Sequence, residues 1–168
     1  DNQKQDKIDT TNTPTQTPNW VNTDVLVDVT LPQNTSETTT TVIVANPDGT
    51  TDEHIIANNN NDVIISVTQD GEYKIVIKTT DGTNKVETTQ YVYVDKTNPR
   101  VDAEYETTTN SIKVNATAED ATSKIDEVTY TLKDGDTIIS TNTTGEFIGL
   151  EDGKDYTVVT TVTDKAGN

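Results

Sequence analysis

Residues 70–81 read Asp-Gly-Glu-Tyr-Lys-Ile-Val-Ile-Lys-Thr-Thr-Asp, and residues 152–164 read Asp-Gly-Lys-Asp-Tyr-Thr-Val-Val-Thr-Thr-Val-Thr-Asp. Each stretch opens on an Asp-Gly turn signal. Each then places a tyrosine, Tyr73 or Tyr156, at the head of a run dominated by β-branched residues. Each run closes on an aspartate, Asp81 or Asp164, in the next turn. β-branched side chains suit a pleated strand, and the alternation Tyr73, Ile75, Ile77 puts one face inward. Two copies of one strand signature in one chain indicate an internal repeat.

Outward from these two strands the same period-2 pattern recurs. Val25, Val27 and Val29 alternate, as do Val63, Ile65 and Val67, then Val92 and Val94. Further on come Ile112, Val114 and Ala116, then Val128, Tyr130 and Leu132. Turn signals at Pro47-Asp48-Gly49, Asp81-Gly82 and Asp134-Gly135 separate the runs. No stretch keeps apolar residues at helical spacing. Many short strands at this interval predict an all-β sandwich. A second pair of matches, Asp9-Thr-Thr-Asn-Thr-Pro14 and Asp95-Lys-Thr-Asn98-Pro99, is separated by about the length of one sandwich module. The expected division is a β-sandwich over 15–97 and a second over 98–168. Residues 1–14 read either as a linker or as the last strand of a preceding module, since Lys7-Ile8-Asp9 matches Tyr93-Val94-Asp95. A strand over Lys85–Val94 follows the Tyr73 strand, whereas nothing equivalent follows Gly167-Asn168. The second sandwich is therefore expected to lack its final strand.

Composition limits the function classes. The chain has 168 residues, of which 30% are hydrophobic and 5% aromatic. Such a thin apolar share favours small sandwiches over a deep-cored enzyme. Twelve basic against 29 acidic residues give a net charge of −17. That surface repels phosphate backbones and anionic lipid, so nucleic acid is not an expected partner. No apolar run is long enough for a membrane-spanning helix, and no membrane insertion is expected. Cysteine is absent, which excludes disulfides and thiolate chemistry.

The stretch from Leu150 through Gly153, Tyr156 and Asp164-Lys-Ala-Gly-Asn168 resembles the end of a bacterial fibronectin type III or immunoglobulin-like module. The resemblance implies that Leu150, six residues before the tyrosine, is a family feature. It implies that Tyr156 is a tyrosine corner whose hydroxyl meets backbone just upstream; Tyr73 holds the same place in the first module. Residues 20–27, Trp20-Val-Asn22 followed by Asp24-Val-Leu-Val27, are similar to a group of bacterial immunoglobulin-like repeats. Such modules occur in long extracellular proteins of Gram-positive bacteria and in structural proteins of their phages. The implied location is the cell or virion surface, and the implied partners are neighbouring modules of the same chain.

Catalytic chemistry finds little support. His54, the sole histidine, sits beside Asp52 and Glu53 on an expected edge strand. No nucleophile elbow, zinc spacing, phosphate loop or EF-hand accompanies it. The expectation is a chain that is not an enzyme. Calcium is the one cofactor the sequence leaves open. Loops cluster at the ends of a sandwich, so Glu119 and Asp120, Asp164 and Asn168, and Asp95 and Asn98 are expected to converge, offering the oxygens Ca²⁺ prefers. The alternative is that Asp and Asn are simply good turn formers. Trp20 is read as packing against a sandwich end or, alternatively, as a sugar-stacking platform.

The function expected from all this is a non-enzymatic spacer or stalk, with Pro99 limiting bending between modules. Its alternatives are an adhesion module for glycan or a surface protein, and an accessory domain of a secreted polysaccharide-active enzyme. An exposed cluster of Trp20, Tyr91 and Tyr93 would favour adhesion; buried rings would favour the spacer.

Overall fold

The computed structural model describes residues 17–29, 38–57 and 63–168. The reading of residues 1–14 lies outside them. The chain divides into two compact units, Asp1–Lys96 and Thr97–Asn168.

Unit 1 holds β1 (Trp20–Val21), β2 (Val25–Val29), β3 (Thr39–Ala45), β4 (Thr51–Ala57), β5 (Val63–Val67), β6 (Gly71–Thr80) and β7 (Lys85–Val94). They form a five-stranded sheet in the order β1-β7-β6-β3-β4 and a two-stranded sheet of β2 and β5. All pairs are antiparallel except β1 with β7, which run parallel with Trp20 opposite Tyr93 and Val21 opposite Val94. The core lies between the sheets. Val27 and Val29 of β2 and Ile65 and Val67 of β5 meet Val42 and Val44 of β3, Tyr73 and Ile75 of β6, and Val94 of β7. This is the alternation that the sequence shows, now with its inward face identified. Burying each such side chain stabilises the unit by about 1.5–3 kcal/mol.

Thr40 departs from expectation. The threonine run 38–41 reads as exposed strand or turn, yet Thr40 is fully buried. It lies two residues before Val42 on β3, so the period-2 pleat turns it inward. Its hydroxyl is satisfied by a 3.0 Å hydrogen bond with the Thr79 hydroxyl on the neighbouring strand. A buried hydroxyl without such a partner would be costly.

Unit 2 holds β8 (Arg100–Thr107), β9 (Ser111–Glu119), β10 (Ile125–Asp134), β11 (Thr137–Asn142), β12 (Glu146–Ile148) and β13 (Thr157–Asp164). They form two three-stranded sheets, β12-β9-β8 and β11-β10-β13. The core is small: Val114, Tyr130, Leu132 and Phe147 are buried, with Leu150, Tyr156 and Val158 packed against them. Strand β8 contributes nothing to it, being exposed along its whole length. Its alternation of charge, Arg100, Asp102, Glu104 and Glu106, keeps that edge in water. No strand follows β13 in this unit, so β13 closes its sheet on one side.

Tyr73 and Tyr156 both accept a hydrogen bond from backbone just upstream. The Gln69 N–H donates to the Tyr73 hydroxyl at 2.9 Å, and the Glu151 N–H donates to the Tyr156 hydroxyl at 3.3 Å. Each ring thus packs in its core while its hydroxyl closes the turn that feeds the strand. In Tyr73→Phe the ring stays and the acceptor is lost. Urea unfolding of unit 1 is expected to show a loss of about 1 kcal/mol. An unchanged midpoint would mean that water replaces the hydroxyl without penalty.

Candidate functional site

Two clusters collect the residues singled out from sequence, one in each unit. In unit 2 the loop after β9 and the turn after β13 bring carboxylates together. An oxygen of Asp120 and one of Asp164 lie within 4.8 Å of each other. Asp164 is buried, and its carboxylate accepts from the backbone N–H groups of Ala166 and Asn168 at 2.9 and 3.0 Å. The Asn168 side-chain amide donates to the second oxygen at 2.9 Å and also reaches the Thr97 carbonyl at 3.3 Å. Burial pushes the Asp164 carboxyl up, but the hydrogen bonds from Asn168, Ala166 and Gly167 together outweigh it, and the group lies below the usual carboxylate range. Asp120 does similar work: one oxygen accepts from the N–H groups of Thr122 and Lys124 at 3.0 and 2.8 Å. The second of these holds Lys124 at a φ of 74°, the left-handed region that a lysine rarely occupies.

Glu119, Asn98 and Asp95 complete the calcium expectation. Glu119 ends β9 exposed, and Asn98 is exposed near the start of unit 2. Both line an open hollow with Asp120 and Lys124. Pro99 is half-buried beside Asn98. Asp95 belongs to unit 1, where it is fully buried at the end of β7 and its N–H donates to the Val21 carbonyl at 2.9 Å. Asp164 and Asp120 are thus first of all acceptors that close turns, the plain role sequence assigned to such residues.

A pH dependence follows from Asp164. A carboxyl whose folded pKa lies below its unfolded value adds stability that is present above the unfolded value and fades as pH falls through the folded one. Asp164→Asn keeps the shape and removes the charge. The urea midpoint of the variant is expected below that of the parent at neutral pH, with the gap closing towards about pH 3. A gap of constant size across that window would show that charge has no part in the turn.

In unit 1 the aromatic residues form a row on the outer face of the five-stranded sheet. Along β7, Val92 and Val94 turn towards the core, so Tyr91 and Tyr93 take the opposite face. The Trp20 and Tyr93 ring centroids are 5.3 Å apart with the planes tilted by 55°, and Tyr91 stacks on Tyr93 at 6.3 Å and 14°. All three rings are half-buried. Burial, with Glu72 and Tyr91 nearby, raises the Tyr93 hydroxyl above its ordinary pKa. Trp20 therefore packs on a neighbouring strand's ring, a contact that sequence reading did not locate. Tyr73, Tyr130 and Tyr156 pack in the cores, while Tyr105 is exposed on β8. His54 stands exposed on edge strand β4, opposite Val42.

No protein-family model matches the chain, and no curated protein does. Among solved structures, a two fibronectin type-III domain segment from chicken tenascin is similar over 89% of this chain and 95% of its own. The identity is 17% and the TM-score 0.36. A likeness at that score settles nothing about this chain. The strand orders above define it as an all-β protein of two tandem β-sandwich units.

Proposed function

We propose that this chain is a non-enzymatic, extracellular load-bearing spacer in a surface protein of a bacterium or a phage. The observation that supports it most is the parallel pairing of β1 with β7. The strand that opens the described part of unit 1 and the strand that leaves the unit run side by side in one direction. Pulling on the two ends draws them apart along their length. The hydrogen bonds between them, together with the Asp95-to-Val21 bond, are then loaded in shear as a group rather than peeled singly. Acidic side chains occupied in turn hydrogen bonds, such as Asp81 with Thr83 and Asn84, agree with a structural role. Single-molecule pulling tests the reading. Unit 1 is expected to give way at higher force than unit 2, which has no parallel pair among its described strands. Equal or lower resistance in unit 1 would remove the load-bearing role.

A second reading, adhesion to a glycan or a surface protein, is supported by the aromatic row. Trp20 is the sole tryptophan and reports on it directly. For a spacer, oligosaccharides are expected to leave its emission unchanged. A saturable change that is lost in Tyr91→Ala would move the function to adhesion.

Calcium in unit 2 is a proposal of the same standing, supported by the closeness of Asp120 and Asp164. Binding to the folded state adds RT ln(1 + [L]/Kd), so millimolar CaCl2 is expected to raise the melting temperature over EDTA by several degrees. Equal melts would leave both carboxylates as turn acceptors alone.

A further inference from the structure

Five Asp-Gly pairs punctuate the chain: Asp48-Gly49, Asp70-Gly71, Asp81-Gly82, Asp134-Gly135 and Asp152-Gly153. Such a pair is chemically reactive as well as turn-forming. Glycine has no side chain to shield its amide nitrogen, so that nitrogen can approach the preceding carboxyl carbon and close a succinimide ring. Reaction requires that the aspartate carboxyl and the glycine N–H be able to meet.

In four pairs the local structure occupies one or both groups. The Asp48 carboxylate accepts from the Thr50 N–H and hydroxyl at 2.9 and 2.6 Å, and the Gly49 N–H donates to the Asn46 carbonyl at 3.0 Å. The Asp81 carboxylate accepts from the N–H groups of Thr83 and Asn84 at 2.9 and 2.6 Å and from the Asn84 side-chain amide at 2.8 Å. The Gly82 N–H donates to the Thr80 hydroxyl at 3.1 Å. The bonds from Asn84 and Thr83 lower the Asp81 carboxyl to about 2, which keeps it in the charged, poorly electrophilic form. Asp70 accepts from the Lys96 N–H at 3.0 Å, and Gly71 is held in β6 opposite Val94. Asp134 holds the Lys154 ammonium at 2.8 Å.

Asp152-Gly153 differs within its own turn. Both residues are exposed, between β12 and β13. Among the described residues, neither the Asp152 carboxylate nor the Gly153 N–H has a hydrogen-bonding or ionic partner. The backbone bond that closes this turn, from the Lys154 N–H to the Glu151 carbonyl at 3.4 Å, spans the pair and uses neither group. Nothing lies within 4 Å of a carbon built on Gly153, so the approach is sterically open.

We infer that Asp152-Gly153 is a site of spontaneous backbone modification, at which Asp152 becomes isoaspartate while the chain stays folded. The Gly153 nitrogen attacks the side-chain carboxyl carbon of Asp152. A C–N bond forms, a carboxyl C–O bond breaks, and the amide proton leaves with that hydroxyl as water. A second water then opens the ring at the main-chain carbonyl. The chain thereafter runs through the side-chain carbon, one methylene longer, with the carboxylate on the α-carbon. The added methylene lies inside the loop that the Glu151-to-Tyr156 hydrogen bond closes, so the change bears on the turn that feeds β13.

Prolonged incubation of the 168-residue chain in mildly acidic buffer tests this, with and without urea. The samples are digested with a protease that cleaves before aspartate but not before isoaspartate, and the peptides are weighed. In the folded chain, loss of cleavage is expected at Asp152 alone. In urea it is expected at all five pairs, since the bonds that occupy the other four are gone. Asp152→Glu, whose ring would be one atom larger, is expected to show no modified residue at 152 after the same folded incubation. Loss of cleavage first at Asp48, Asp70, Asp81 or Asp134 in the folded chain overturns the inference. So does an unmodified Asp152 in the folded chain over a period in which the urea sample reacts there.

Discussion

Gly145→Ala is expected to be among the most damaging single substitutions in unit 2. Gly145 lies between β11 and β12 with a φ of +70°, and its backbone is fully engaged. Its N–H donates to the Asn142 side chain at 2.8 Å, and its carbonyl accepts from the Val114 N–H at 2.8 Å. A Cβ built there falls 2.1 Å from the Val114 carbonyl oxygen and 3.3 Å from the Tyr130 ring. Left-handed backbone costs a non-glycine residue about 1–2 kcal/mol. The overlap adds more, because the obstacle is strand backbone rather than the end of a flexible side chain. Relief requires moving β9, which carries Val114, or the buried Tyr130, and both belong to the small core. A total of about 3–5 kcal/mol is expected, a large share of the stability of a single domain. Gly153→Ala separates the two causes: its φ is +74°, but nothing lies within 4 Å of the added carbon. It should lose only the conformational part, about 1–2 kcal/mol. Urea midpoints of the two variants measure the difference, and equal losses would mean that β9 yields freely.

Ile75→Ala is expected to have the corresponding effect in unit 1. Ile75 is fully buried on β6, which lies between β7 and β3 in the five-stranded sheet. Its side chain meets residues of both sheets, so truncation opens a cavity in the middle of the sandwich rather than at a margin that could collapse. Such truncations cost about 2–5 kcal/mol, and a central site belongs in the upper half of that range. Trp20 lies in the same unit, so its emission follows the transition without a label. Ile64→Ala is the control, because Ile64 is 67% exposed on β5 although it is the same residue type next to a core position. It should shift the midpoint by no more than about 0.5 kcal/mol. A similar loss at both positions would show that the inward face of this sandwich has been misassigned.

The strands were legible because their signal is local. A period of two in β-branched residues determines which side chains share a face, and Asp-Gly pairs mark where a strand must end. The corner at Tyr156 was implied by the resemblance of residues 150–168 to a known kind of module, and its bond is local as well, since the hydroxyls of Tyr73 and Tyr156 reach backbone only four or five residues upstream. What local pattern could not decide was which strand lies beside which. Thr40 looked like part of an exposed threonine run until β6 supplied Thr79 as its partner. Trp20 had no locatable neighbour until β1 paired in parallel with β7, and that pairing also set Tyr91 and Tyr93 in a row with it. Gly145 and Gly153 have nearly the same φ, yet only one has a carbonyl in the space a side chain would need. The calcium residues were chosen as oxygen donors near loop ends; tertiary structure showed that Asp120 and Asp164 already receive backbone N–H groups, while Glu119 and Asn98 face solvent. Each of these outcomes depends on contacts far apart in sequence. Side-chain type and spacing determine a strand's two faces, but burial, strain and hydrogen-bond partners arise only when distant strands meet.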